Sequence, residues 1–85
     1  MSKYPELQRN EINTTLGKIK SNTFNTYEFI LAWENLYPAS KNLFSGIGVG
    51  WRKVIGKNLS IYAQTQRRIK SLNKKNQGAE LWVKV

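Results

Sequence analysis

Residues 42–57, NLFSGIGVGWRKVIGK, decide how the chain is read. Phe44, Ile47, Trp51 and Val54/Ile55 recur at i, i+3, i+7 and i+10/i+11, the spacing of one buried helical face. Lys41, Ser45, Arg52, Lys53 and Lys57 project elsewhere, with Gly46 and Val49 adding little bulk between them. The pattern predicts a helix over about 42–56 with an apolar stripe and a basic face, and Gly56 as its C-cap. Three glycines at alternate positions, Gly46, Gly48 and Gly50, complicate it, since each costs up to ~1 kcal/mol relative to Ala inside a helix. They mark either a loop, with the helix proper beginning nearer Val49, or a place where a neighbouring helix or a phosphate backbone comes close. A phosphate-cradling loop of the nucleotide-binding kind is not supported: GxGxG is incomplete, no Lys-Ser/Thr follows, and no βαβ unit fits.

Upstream, the best-marked element is a helix opening at Asn25. Asn25 is a good N-cap, Glu28 stands three residues on where it can reach back to the cap's N–H, and Phe24 and Phe29 occupy the two positions of a hydrophobic staple. Phe29/Ile30, Trp33 and Leu36/Tyr37 form its inward stripe, and Pro38 ends it by pushing Tyr37 out of the α region. Pro38-Ala39-Ser40 then reads as a short turn, with Ser40 or Asn42 capping the third helix. Residues 2–20 predict a first helix, with Ser2 as cap, Pro5 in the first turn and an Ile12, Leu16, Ile19 stripe. Its beginning, 1–6 or a little further, reads equally as a flexible arm.

Downstream the signals compete. Leu59, Ile61 and Ala63 alternate as in a strand, while Ile61, Thr65, Ile69 and Leu72 nearly fit a helix, so residues 60–72 stay open between the two. The cluster Asn73–Gly78 reads as a turn, and Ala79, Leu81, Val83 and Val85 alternate on one face of a closing strand. The preferred reading is a hairpin of about 66–72 with 79–84 and a Lys-rich tip.

Composition bounds the function. The 85 residues amount to one domain whose core must be built from ten aromatics (three Trp, four Tyr, three Phe) and the aliphatics, completed if necessary by a second copy of the chain. With no Cys, no His and no Asp, neither a nucleophilic triad nor an ordinary zinc site can be assembled, and no enzymatic activity and no cofactor are expected. The glutamates Glu6, Glu11, Glu28 and Glu34 fall on predicted helices, where a solvated charge is the ordinary reading. The net charge of +9 is uneven: residues 1–40 hold four basic and four acidic side chains, while residues 41–85 hold ten basic ones against Glu80 alone. Such asymmetry in a small domain is an electrostatic footprint for nucleic acid or another polyanion. No apolar run reaches the length of a membrane span and no secretory leader is evident, so a cytoplasmic protein without membrane association is expected; the sequons at Asn13 and Asn58 then carry no sugar. An Asn-, Lys- and Ile-rich composition is in keeping with an AT-rich bacterial or phage genome.

Taken in order, NTYEFILAWENLYP as supporting helix, NLFSGIGVGWRKVIG as recognition helix and RRIKSLNKKNQGAELWVKV as wing, the chain resembles the winged helix-turn-helix family of DNA-binding domains. The resemblance lies in architecture and spans roughly residues 7–84. It implies an α+β fold of three helices followed by a C-terminal β-hairpin wing, occupying 1–85, with the recognition helix at about 42–56 and a basic wing at 66–84. It implies a small duplex-DNA-binding regulator or accessory factor of phage or mobile-element type. Arg52, Lys53 and Ser45 would face the major groove, where Arg pairs bidentately with guanine. Lys41 and Lys57 would meet phosphates at its edges, Arg67, Arg68 and Lys70 would lie along the wing's arm, and Lys74 and Lys75 with Asn73, Asn76 and Gln77 would form its tip. About six engaged phosphates would give a log–log salt slope near −5.

Two other classes share these residues. A basic helix and hairpin also suit an inhibitor or adaptor that binds an acidic partner protein. Aromatics among basic residues suit RNA or single-stranded nucleic acid, with Trp82 as stacking platform if exposed; Trp51, in the apolar stripe, is expected in the core.

Overall fold

The computed structural model describes residues 6–85, so the expected roles of Ser2 and Pro5, and most of the expected arm, lie outside it. The elements are α1 (Arg9–Lys18), β1 (Thr23–Asn25), α2 (Thr26–Leu36), α3 (Pro38–Ser45), α4 (Trp51–Gln66), β2 (Ile69–Asn76) and β3 (Ala79–Lys84). The chain is thus α+β, with four helices and one antiparallel three-stranded sheet of order β1-β3-β2 among the described residues.

α2 begins as its sequence dictates. The Asn25 side chain accepts from the Glu28 N–H at 2.7 Å, the Glu28 carboxylate accepts from the Asn25 N–H at 2.9 Å, and Phe24 and Phe29 stack with ring centroids 6.4 Å apart. Phe24 and Asn25 have a second role that the sequence did not announce: with Thr23 they form β1, paired Thr23↔Val83, Phe24↔Trp82 and Asn25↔Leu81. One short segment therefore caps a helix and extends the hairpin's sheet. Asn25 Nδ2 also donates to the Asn76 carbonyl at the far end of the hairpin, 3.2 Å away.

Four expectations upstream are corrected. The first helix runs over Arg9–Lys18 rather than 2–20, and Leu7, ahead of it, is held by its N–H donating to Asn58 Oδ1. Pro38-Ala39-Ser40 is not a turn but the first turn of α3, with Pro38 where its missing N–H costs nothing. Ser40 caps no helix: its hydroxyl donates to Glu11, which also accepts from Trp33 Nε1, both at 2.9 Å. Glu11 is accordingly a link joining α1, α2 and α3 rather than a solvated charge.

The predicted 42–56 helix is two helices. α3 stops at Ser45, and α4 starts at Trp51 after a glycine turn, which is the loop alternative for the three glycines. Gly48 at φ 122 occupies backbone space closed to L side chains, so a continuous helix cannot pass through it. The apolar stripe survives the break: Phe44, Trp51 and Ile55 are buried, and Ile47 and Val54 pack against the same core. Burial followed the spacing; helical continuity did not.

α4 then continues to Gln66, which resolves the open 60–72 region as helix followed, from Ile69, by strand. Gly56 lies inside α4, not at its C-cap, and the cap is Arg67 in the left-handed region at φ 56. The hairpin spans Ile69–Lys84 instead of 66–84, and its turn is only Gln77-Gly78, both at positive φ as a two-residue primed turn requires. Pairing passes from Ser71↔Trp82 to Lys75↔Glu80, so β2 bulges between them, at Asn73 with φ 56.

The face of β3 is also corrected. Ala79, Leu81 and Val83 are half-buried and Val85 is exposed, whereas Trp82 is 1 % exposed and donates Nε1–H to Thr26 Oγ1 at 2.9 Å. Trp82 is therefore a core residue that pins the hairpin to α2. Trp33 meets Phe44 edge-on at 5.4 Å between centroids, and with Ile12, Phe24, Phe29, Ile55, Leu59, Ile69 and Trp82 they belong to one buried cluster. The two sequon asparagines are structural. Asn58 holds Leu7, and Asn13 accepts from the Tyr62 hydroxyl. Burial pushes the Tyr62 phenol up from 10.0, while nearby Arg68 and Arg9 pull it down more weakly.

Candidate nucleic-acid interface

Along α4, positions 52, 53, 56, 57 and 60 follow the i, i+1, i+4, i+5, i+8 rhythm of one helical face. The buried side of the helix carries Trp51, Ile55, Leu59 and Tyr62. Because that side is fixed in the core, Arg52, Lys53 and Lys57 are held outward, all three exposed. The primed turn brings the hairpin tip back over this face. The result is an open groove of about 620 Å³, walled by Arg52, Lys53, Gly56, Lys57 and Ser60 on α4, by Thr26, Tyr27 and Ile30 on α2, and by Lys75, Gln77, Gly78, Ala79 and Glu80 on the hairpin.

Four cations (Arg52, Lys53, Lys57, Lys75) and one carboxylate (Glu80) thus face a single cleft, a net of +3 on its walls. Low-dielectric walls carrying one dominant sign of charge focus the field into the cleft and concentrate an anionic ligand there. Arg52 is partly preorganised: its guanidinium carbon sits 4.7 Å from the centre of the Trp51 ring, a contact worth about 0.5–1 kcal/mol at an exposed site. Lys75 owes its place to the bulge, which resets the side-chain alternation of β2 just before the turn.

Not all of the expected basic residues converge here. Lys41 and Ser45 lie on α3, and the Ser45 hydroxyl is occupied with the Asn42 carbonyl of its own helix. Arg67 and Arg68 are not in a wing arm. They form the α4–β2 connection, where Arg68 sits beside Asn13, Leu16, Tyr62 and Lys84 on another side of the molecule. Lys70 lines a smaller cleft between α4 and β2, with Ser60, Gln64 and Trp82. Lys74 is exposed near the hairpin tip but is not part of the groove wall.

Sequence reasoning missed Tyr27, Thr26, Gly56 and Ser60 in this cleft. For Gly56 and Ser60 the signal existed, because extending the helix past 56 puts both in phase with Arg52, Lys53 and Lys57. For Tyr27 there was none. It reaches the cleft, 45 % exposed, because the Trp82–Thr26 hydrogen bond fastens the hairpin to the first turn of α2. Among the described residues, no three His, Cys, Asp or Glu side chains are gathered to hold a metal ion, and no helix is long and apolar enough to cross a membrane. Comparison with family models, characterised proteins and solved structures gives no match.

Proposed function

We propose that this protein binds duplex DNA as a small regulator or accessory factor of winged-helix type, with the first half of α4 as its reading element and the β2–β3 hairpin as its wing. The observation that carries the reading is the convergence of Arg52, Lys53 and Lys57 with Lys75 on one groove. An α-helix is the right width for the DNA major groove, and a Lys-bearing hairpin beside it reaches the flanking backbone. In this reading the recognition helix is Trp51–Gln66, preceded by the short α3 and a glycine turn. Arg52 and Lys53, nearest its N-terminal end, are placed for base edges, and Lys57 and Lys75 for phosphates. Burial of Trp82 takes away the tryptophan that would have favoured single-strand stacking.

The test is fluorescence-anisotropy titration of a random duplex of about 25 base pairs across a salt series, with single-stranded DNA and RNA alongside. The two phosphate-facing cations, Lys57 and Lys75, predict a log–log slope of about −2 for duplex, and the Arg52→Ala/Lys53→Ala pair, which removes base-edge contacts, should lower affinity while leaving that slope nearly unchanged. Tight binding to one acidic protein with none to any nucleic acid at low salt would replace the reading by an adaptor role. Preference for single strands or RNA would replace the ligand.

A further inference from the structure

Gly56 stands in the body of a sixteen-residue helix, where glycine is the least favourable residue after proline. Its neighbours do not demand it. A Cβ built there would meet Thr26 Cγ2 at 3.8 Å, an ordinary van der Waals contact, so α2 and α4 would pack equally well around alanine. Thr26 is itself fixed, since its hydroxyl accepts from Trp82, so it is its methyl that faces Gly56. Nor does the backbone demand it, for Gly56 is an ordinary helical residue without positive φ. What distinguishes the position is that it is half-buried in the wall of the basic groove, with Lys53 and Lys57 on its own helix and Lys75 across from it.

We infer that Gly56 is the close-approach point for one sugar–phosphate strand of the bound duplex, which runs through the groove between α4 and the hairpin. This rests on the duplex-DNA reading above and says which part of the duplex occupies the groove. Cations on both walls of a cleft suit a polyanionic strand running between them, each wall neutralising phosphates from its own side. A base-pair edge, which is neutral, would leave Lys57 and Lys75 without partners. A side chain at position 56 would hold the strand away from both walls, so the helix gives up propensity there to let the backbone approach.

Gly56→Ala tests this with opposite signs in two measurements. Thermal unfolding should move up by about 4 °C, because alanine is the better helix former and nothing collides with it. Duplex affinity should fall roughly tenfold by anisotropy, the size of an overpacked contact, with a salt slope shallower by about 1. Gly17→Ala, also on a helix and with nothing within 4 Å of its Cβ position, is the control and should leave affinity unchanged. If Gly56→Ala binds duplex as wild type does while Arg52→Ala/Lys53→Ala loses affinity, the close-approach role is wrong and the DNA reading stands. If Gly56→Ala unfolds, the glycine serves helix packing and the inference is overturned. If the wild type binds no nucleic acid, both fall together.

Discussion

On one side of α4, Trp51, Ile55, Leu59 and Tyr62 are buried against the other helices and the sheet; on the other, Arg52, Lys53 and Lys57 stand exposed around the half-buried Gly56 and Ser60. The two faces share a backbone and differ in what opposes them. Dispersion contacts and lost water hold the first, so its residues are interchangeable only with others of the same volume. The second borders an open groove, so its residues are free to be chosen for a ligand. It follows that substitutions on α4 should separate cleanly into those that cost stability and those that cost binding.

The largest effect should come from Leu59→Ala, at a fully buried position, which should lose about 2–5 kcal/mol in urea unfolding followed by circular dichroism. Set against the ~4–13 kcal/mol expected for a chain of this length, that is a large share of the whole stability. A loss under ~1 kcal/mol would mean that the two faces are less distinct than their burial says.

Trp82→Phe should come next, at about 1–3 kcal/mol, because it leaves the buried Thr26 hydroxyl without its donor and removes part of an indole. This substitution sharpens the comparison, since Trp82 is what places the hairpin wall opposite the basic face. Amide exchange in β3 and in the first turn of α2 should quicken together. Exchange confined to the hairpin would show that the bond does not couple them.

Lys57→Ala should leave stability within about 0.5 kcal/mol while making the salt slope of duplex binding shallower by about 1. A destabilisation comparable to Leu59→Ala would break the division between the faces.

The smallest effect belongs to pH. Burial holds the Tyr62 phenol protonated in the folded protein above its ordinary value of 10.0, whereas the unfolded chain ionises there. The unfolded state therefore binds fewer protons as pH rises through that range, and stability that is intact below about pH 10 declines above it. Tyr62→Phe should be the less stable protein at neutral pH, having lost the bond to Asn13, yet show a shallower decline between pH 9 and 11 in parallel urea titrations. Equal slopes for the two would remove the phenol from the alkaline limb.

Much of this was legible in the residues themselves. The Asn25–Glu28 capping box, the Phe24–Phe29 staple and the end of α2 at Pro38 are local, closed within a few residues, and occur as the spacing predicts. The stripe Phe44, Ile47, Trp51, Ile55 marked the core side correctly even though the backbone between its members is not one helix. Helical continuity was misjudged because the glycines read alike as letters, and only Gly48 carries the positive φ that breaks the chain. Residues 60–72 were ambiguous for a different reason. Short apolar runs satisfy both periods, and the choice was made by the packing of Leu59 and Tyr62 below α4 and of Ile69 and Trp82 in the sheet.

By itself, then, the order of residues determined an α+β chain rich in helix, the caps of α2, the apolar stripes of its helices and the accumulation of positive charge after residue 40. Each depends on neighbours in sequence or on a count, and such interactions are present before the chain folds. Which cations face one another was decided only in three dimensions. Position in the chain puts Arg67, Arg68 and Lys70 together on the wing's arm, yet only Lys70 lies on β2, Arg68 belongs to another side of the molecule, and Tyr27, fifty residues from the hairpin tip, stands in the groove beside Lys75. A strand pairing, a bulge at Asn73 and one hydrogen bond from Trp82 set that geometry, and none of them has an energy until the partner segments meet.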